Sequence, residues 1–140
     1  MKLKRINHIT FSVSDLEKSV EFYKKVFGAE LLVEGENLAY FDFGSLWIAL
    51  NVEKDIKRNE IYDSYTHISF SIEEEEYDEM LGRLRALNVD IKEGRPRHEE
   101  EGKSIYFRDI DGHLFEFHTK GRQDRINFYK NNRKELKFFD

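Results

Sequence analysis

INHITFSV at residues 6–13 and YTHISFSI at residues 65–72 are two copies of one short segment, and they decide the fold. Both segments alternate apolar and polar residues, which is typical of a half-buried β-strand. His8 and His67 occupy the same place in the two copies, 59 residues apart. A repeat with a fixed period of this size predicts a duplicated supersecondary unit.

The same series of elements follows each copy. Apolar residues at helical spacing predict a helix that begins after a capping box at Ser14 and Glu17 and ends at Gly28. The same spacing predicts a second helix after a capping box at Ser71 and Glu74. Asn88 can end the second helix in the left-handed conformation. Extended stretches are predicted near residues 29–34, 38–43, 46–52, 89–93, 103–109 and 113–118, with a hairpin turn at Asp111-Gly112.

The order βαβββ therefore occurs twice, which predicts an α+β fold with helices outside a curved, antiparallel-rich sheet. We expect one domain over residues 1–140, with half-modules at about 4–60 and 61–120 and a final helix at about 121–132.

Composition excludes several functional classes. The formal charge of −5 argues against nucleic acid as a partner, and the absence of cysteine excludes disulfides and a cysteine nucleophile. No apolar run approaches the roughly 20 residues of a membrane span. The N-terminus leads directly into a strand without room for a signal peptide, so we expect a cytoplasmic protein.

One face of the predicted sheet carries an unusual set of polar residues. Because side chains alternate along a strand, His8, Thr10 and Ser12 lie opposite the apolar residues of their strand. The other strands add His, Tyr, Ser, Trp, Asn and one Glu to this face, and scarcely any Lys. A merely solvated face usually carries Lys, Glu and Thr, so the composition favours a concave pocket with a few placed polar groups.

Two histidines and a carboxylate on such a face can bind a divalent metal. We predict His8, His67 and Glu116 as the ligands, although each histidine alone is more often an ordinary polar residue. Matching Leu46–Leu50 to Leu114–His118 makes Ile48 the counterpart of Glu116 in the first copy. Three ligands are then expected, which leaves a coordination position for substrate, as catalytic sites require.

Seven segments together resemble the vicinal oxygen chelate (glyoxalase/bleomycin-resistance) superfamily and, within it, the fosfomycin-resistance thiol transferases of the bacillithiol-using, FosB-type branch. The resemblance covers roughly residues 4–130. The segments are Ile6–Ile9, Leu38–Phe41, Leu46–Asn51, Arg58–Ile61, Ser64–Ile68, Ser104–Phe107 and Asp111–His113.

This resemblance implies thiol transfer to the epoxide of fosfomycin, with Mg²⁺ or Mn²⁺ as the metal and bacillithiol or L-cysteine as the thiol. It implies His8, His67 and Glu116 as metal ligands and Thr10 as the hydroxyl that assists the thiol. It implies a homodimer whose halves are exchanged, so that His8 of one chain joins His67 and Glu116 of the other. The residues implied to hold the phosphonate and line the pocket are Tyr40, Trp47, Asn51, Tyr65, Arg95, Ser104, Tyr106 and Arg125.

Other functions remain open at this point. An epoxide hydrolase or a glutathione transferase would use the same fold, but Leu38 stands where the hydrolases carry a glutamate base. A metal-free drug-binding protein would not need the histidine and glutamate set. An extradiol dioxygenase would use such a set but would leave Arg95 and Arg125 unexplained. Arg97, His98 and His113 are predicted to be solvated loop or turn residues, and His118 an edge residue or an indirect neighbour of the metal site.

Overall fold

The computed structural model describes residues 1–58 and 64–139. The boundary predicted between residues 60 and 61, and most of the segment Arg58–Ile61, lie outside the described residues. The chain divides into two units, Met1–Ser64 with Asp109–His113, and Tyr65–Arg108 with Leu114–Asp140. None of the described helices has the length and apolar character that crossing a membrane requires.

Each unit contains one four-stranded mixed sheet. In the first unit, β1 (His8–Val13), β2 (Glu30–Glu34), β3 (Leu38–Asp42) and β4 (Trp47–Val52) lie in the order β1-β4-β3-β2. In the second unit, β5 (His67–Ser71), β6 (Asp90–Lys92), β7 (Ser104–Arg108) and β8 (Leu114–His118) lie in the order β5-β8-β7-β6. The first strand of each sheet pairs in parallel with the fourth, and the other pairs are antiparallel. The two sheets therefore have one topology, which confirms the predicted repeat.

Helix α1 (Leu16–Phe27) covers the first sheet. It buries Val20, Tyr23 and Val26, which share one face at helical spacing. Gly28 ends the helix with φ of 63°, as predicted, because the left-handed conformation is least strained without a Cβ. The predicted N-cap Ser14 is wrong: Asp15 is the cap, and its carboxylate accepts a hydrogen bond from the Lys18 amide at 3.0 Å.

The second unit contains α2 (Tyr77–Ala86) and α3 (Arg122–Asn132), and a short 3₁₀ turn precedes α2. The predicted capping box at Ser71 and Glu74 is also wrong, since Glu73 and Glu76 form the box at this turn. Asn88 adopts φ of 54° after α2, as predicted. The core of this unit contains Leu84, Ile105, Phe107, Phe115 and Phe117.

The turn between β7 and β8 is held by buried polar contacts of the first unit. Asp109 Oδ2 accepts a hydrogen bond from the Tyr23 hydroxyl at 2.8 Å and lies 2.8 Å from Nδ1 of His113. Asp111 accepts a hydrogen bond from the Ser14 amide at 3.0 Å. The prediction of a solvated His113 is therefore wrong: 15% of its side chain is exposed, and its ring packs on Phe11.

Strand register also corrects the predicted counterpart of Glu116. Thr10 is paired with Ala49 in the first sheet, and Ser69 is paired with Glu116 in the second. Ala49, and not Ile48, therefore occupies the position equivalent to Glu116. The alignment of Leu46–Leu50 with Leu114–His118 is therefore shifted by one residue. A shift of one residue exchanges the two faces of a strand.

Candidate active site

In the first unit, the predicted site residues share one face of β1, β3 and β4. The His8 ring stacks on Trp47 with centroids 4.3 Å apart, and Tyr40 packs against Trp47 at 4.9 Å. Thr10 is exposed beside Ala49, and Asn51 is exposed opposite Ser12. Burial along β1 alternates as predicted, with Phe11 and Val13 buried and His8 and Thr10 exposed.

The repeated histidines both have an oxygen beside Nδ1, which makes Nε2 the ring atom available to a metal. Nδ1 of His8 lies 2.7 Å from the Asn7 side-chain oxygen, and Nδ1 of His67 lies 2.7 Å from the Tyr65 carbonyl oxygen. Both oxygens are acceptors, so each Nδ1 carries the proton. In the neutral ring the lone pair is then on Nε2, which is how second-sphere oxygens orient metal-binding histidines.

In the second unit, His67 and Glu116 face each other. Nε2 of His67 lies 3.1 Å from Oε2 of Glu116. Glu116 is 4% exposed, and hydrogen bonds hold its pKa at about 2 against the cost of burial, so it is ionised at neutral pH. An imidazole nitrogen and a carboxylate oxygen at this distance can bind the same divalent cation. Adjacent ligands of an octahedral ion with bonds of about 2.1 Å would be roughly 3.0 Å apart, so the pair fits a divalent metal.

The Glu116 carboxylate is oriented by several neighbours. The Ser104 hydroxyl donates a hydrogen bond to Oε1 at 2.5 Å and lies 2.7 Å from Nδ1 of His118. Nδ1 of His118 is itself 3.3 Å from Oε1. The bonds from His118, Ser104 and Ser69 lower the pKa of Glu116. The contacts from Ser104 and His118 are made to Oε1, and Oε2 lies toward His67.

The predicted phosphonate-binding residues belong to the same unit as this carboxylate. The Tyr106 hydroxyl is 2.8 Å from the Tyr65 hydroxyl, and burial together with this bond raises the pKa of Tyr106. Arg125 lies 3.3 Å from Nε2 of His118. Arg95 donates to Glu101 at 2.9 Å, a bond that raises the pKa of Arg95 and lowers that of Glu101.

Two further residues belong to this group. His118, predicted as an edge residue or an indirect neighbour of the metal site, is 7% exposed and connects Arg125 to Ser104. Arg97 was expected to be solvated, and this is wrong, because only 9% of its side chain is exposed and Nη2 lies 2.5 Å from the Tyr106 hydroxyl and 3.4 Å from Glu116. His98 is exposed as predicted, but its ring stacks on Phe128. Gly94 is a sequence signal that this loop packs closely, since a glycine in a loop can mark the close approach of the backbone to its neighbours.

The structure thus brings the predicted residues together in two groups, one in each unit. His8, Thr10, Tyr40, Trp47 and Asn51 form the first, and the second contains Tyr65, His67, Arg95, Ser104, Tyr106, Glu116 and Arg125. Over residues 1–58 and 64–139 of the single chain, no three His, Cys, Asp or Glu side chains form a cluster that could hold a metal ion.

Comparison with known proteins identifies the class of this fold and site. The model of the Glyoxalase/Bleomycin resistance protein/Dioxygenase superfamily matches residues 5–117. A relative from Lysinibacillus sphaericus, named Metallothiol transferase FosB, is 57% identical over 100% of this chain and 99% of its own length. A relative of the same name from Staphylococcus saprophyticus is 52% identical over 99% of this chain and 91% of its own length.

A solved structure agrees with this result. The fosfomycin resistance protein FosX from Listeria monocytogenes, in complex with Mn(II) and sulfate, is 36% identical with a TM-score of 0.79, over 91% of this chain and 99% of that chain. The chain therefore belongs to the Glyoxalase/Bleomycin resistance protein/Dioxygenase superfamily and, within it, to the metallothiol transferases. It is a transferase.

Proposed function

We propose that this transferase inactivates fosfomycin by adding a low-molecular-weight thiol, bacillithiol or L-cysteine, to its epoxide. The observation that carries the proposal is the facing pair of His67 Nε2 and ionised Glu116 Oε2, 3.1 Å apart. The names of the relatives and the Mn(II) complex of FosX support it.

His8, His67 and Glu116 hold Mg²⁺ or Mn²⁺ in this proposal, and all three present the ligand atoms that such an ion needs. When bound, the ion supplies Lewis acidity for the negative charge that develops on the epoxide oxygen. In the reaction a sulfur–carbon bond forms, an epoxide carbon–oxygen bond breaks, and the oxygen gains a proton as the thiol loses one. Thr10, two residues after His8 on the same strand face, assists the loss of the thiol proton.

The phosphonate is held by cationic and hydroxyl donors. Arg125 and Arg95 supply guanidinium groups, which match a phosphonate with two parallel hydrogen bonds. Ser104 and Tyr106 supply hydroxyls on β7. The aromatic and amide side chains of Tyr40, Trp47, Asn51 and Tyr65 line the rest of the substrate pocket.

We infer that the complete site forms in a homodimer with exchanged halves, in which His8 of one chain joins His67 and Glu116 of the other. The placement of the ligands supports this inference, because His8 begins β1 in the first unit and His67 begins the equivalent strand β5 in the second. A cytoplasmic location is part of the same proposal, since low-molecular-weight thiols are kept reduced there.

Product analysis by mass spectrometry tests the proposed reaction. Purified protein is incubated with fosfomycin and Mn²⁺ or Mg²⁺, while bacillithiol, L-cysteine and glutathione compete. We expect the adduct of bacillithiol or L-cysteine to dominate, and chelation of the metal to abolish it. The diol from water as the main product would replace this proposal by the hydrolase alternative. A dominant glutathione adduct would overturn the choice of thiol, and no product with intact binding of fosfomycin would indicate a drug-binding protein.

A further inference from the structure

Four polar side chains of the second unit form a continuous series of contacts from Arg125 to Glu116. Nη2 of Arg125 lies 3.3 Å from Nε2 of His118, and Nδ1 of His118 lies 2.7 Å from the Ser104 hydroxyl. The Ser104 hydroxyl lies 2.5 Å from Oε1 of Glu116. We call these four residues the His118 network. His118 is 7% exposed, and it is the one member of the network without a role in the proposed function.

The two ends of the His118 network determine the direction of each hydrogen bond in it. A guanidinium group only donates hydrogen bonds, and an ionised carboxylate only accepts them. Nε2 of His118 therefore accepts from Arg125 through its lone pair, and the ring proton lies on Nδ1. Nδ1–H then donates to Ser104, with Oε1 of Glu116 as a second acceptor at 3.3 Å. The serine proton is left for Oε1 of Glu116, so all three bonds run from Arg125 toward Glu116.

The opposite tautomer of His118 would disrupt the network on both sides of the ring. A proton on Nε2 would place two donors face to face at 3.3 Å, and the Arg125 side chain would lose its acceptor. A lone pair on Nδ1 would compete with Glu116 for the proton of Ser104. Glu116 is 4% exposed, and the loss of a donor to a buried charge is costly. The position of Arg125 and the orientation of the Glu116 carboxylate therefore depend on one imidazole ring.

Arg125 retains a donor for a ligand while His118 holds its Nη2 group. Nε of Arg125 is buried, and it has no hydrogen-bond partner within residues 1–58 and 64–139. An oxygen atom of a bound anion would supply the missing acceptor. Arg125 lies in the first turn of α3, and the bond to His118 ties its long side chain to the end of β8. A side chain that is already ordered loses less conformational entropy when a ligand binds.

We infer that His118 is a positioning residue with two separable effects, one from each ring nitrogen. Through Nε2 it places the Arg125 guanidinium group for the phosphonate of the substrate. Through Nδ1–H it directs the Ser104 hydroxyl to Glu116 and so orients the metal-binding carboxylate. The identity of the anion at Arg125 rests on the proposed function, whereas the tautomer of His118 does not.

Nuclear magnetic resonance of the ¹⁵N-labelled, metal-free protein at neutral pH tests the tautomer directly. We expect Nδ1 of His118 to show the resonance of a protonated ring nitrogen and Nε2 that of an unprotonated one. A protonated Nε2, either in the opposite tautomer or in a doubly protonated ring, would overturn the inference.

Two conservative variants then separate the two effects. The side-chain amide of Asn reaches the place of Nδ1, and the amide of Gln reaches the place of Nε2. His118→Asn should weaken the binding of fosfomycin to the Mn²⁺-saturated protein by about tenfold and leave Mn²⁺ affinity unchanged. His118→Gln should lower Mn²⁺ affinity by about tenfold and leave fosfomycin binding at saturating Mn²⁺ unchanged. Isothermal titration calorimetry without any thiol measures both affinities.

The backbone beside His118 is held by other contacts, so both variants should fold. The Thr119 amide donates to the Lys103 carbonyl oxygen at 3.1 Å, and the Lys103 amide donates to the Thr119 hydroxyl at 2.9 Å. Circular dichroism and thermal unfolding check this expectation.

The pattern of the two affinities distinguishes positioning from packing. If both variants change the two affinities alike, if the pattern is reversed, or if neither affinity changes, the inference is wrong. Wild-type protein that binds no fosfomycin would also overturn it. None of these measurements needs thiol transfer, so a wild-type protein that forms no adduct would refute the proposed function while the positioning role of His118 could still be confirmed.

Discussion

Ser104 offers a direct test of how the Glu116 carboxylate is oriented. Its hydroxyl is 2.5 Å from Oε1 of Glu116 and 2.7 Å from Nδ1 of His118, so Ser104→Ala removes one donor from an ionised, buried group. A hydrogen bond to a charged group contributes about 1.5–3 kcal/mol, which is roughly 10- to 160-fold in an equilibrium constant. Loss of an outer-shell contact typically lowers metal affinity by about 10- to 100-fold. Ser69 and His118 also form hydrogen bonds with Glu116 and would still orient it in the variant. We therefore expect Ser104→Ala to lower metal affinity by about tenfold, the lower end of this range.

Metal affinity is measured by titration of the chelator-treated protein with Mn²⁺, with free Mn²⁺ followed by electron paramagnetic resonance. Ser71→Ala is the matched control, since Ser71 is an exposed serine on β5. Circular dichroism should show unchanged folding in both variants. Unchanged Mn²⁺ affinity in Ser104→Ala, combined with a higher KM for fosfomycin, would refute this reasoning and leave Ser104 as a phosphonate ligand only.

Two further predictions concern assembly and stability. If the halves are exchanged, a mixture of inactive His8→Ala and inactive Glu116→Gln chains should regain part of the activity after subunit exchange. In the hybrid dimer one site carries both defects and the other site carries neither. No recovery of activity after verified exchange would favour a site built within one chain. Tyr23→Phe should lower the free energy of unfolding by about 2 kcal/mol in urea denaturation, since the buried Asp109 loses a donor. Burial raises the pKa of Tyr23 well above 10, so its stabilising effect is present below pH 10 and is lost as the pH rises. The difference from Tyr23→Phe should therefore shrink in alkali, and a constant difference would contradict this assignment.

Regular elements could be predicted because their signals are local. The alternation in INHITFSV fixed the exposed and buried faces of β1, and Gly28 and Asn88 marked helix ends through their left-handed conformations. The side chains of His67, Ser104, Tyr106 and Glu116 were found on one face because period-two alternation is independent of the loops between the strands.

The errors concern contacts that join distant residues. Ser14 looked like a cap, but its amide donates to Asp111, 97 residues away, and Asp15 caps the helix. The pairing of Thr10 with Ala49 depends on how β1 and β4 align, which sequence letters alone do not determine. Arg97 sits in a loop without periodicity, so only the folded chain places it against Tyr106 and Glu116.

The alignment of Ala49 with Glu116 has a consequence for the number of metal ligands that the two units can offer. Equivalent positions of the two sheets carry a methyl group at Ala49 and a carboxylate at Glu116. In the proposed exchanged dimer, a glutamate at residue 49 would offer the ion a fourth protein ligand and take one of the coordination positions left for substrate. In that proposal, the methyl group of Ala49 leaves this position to the substrate.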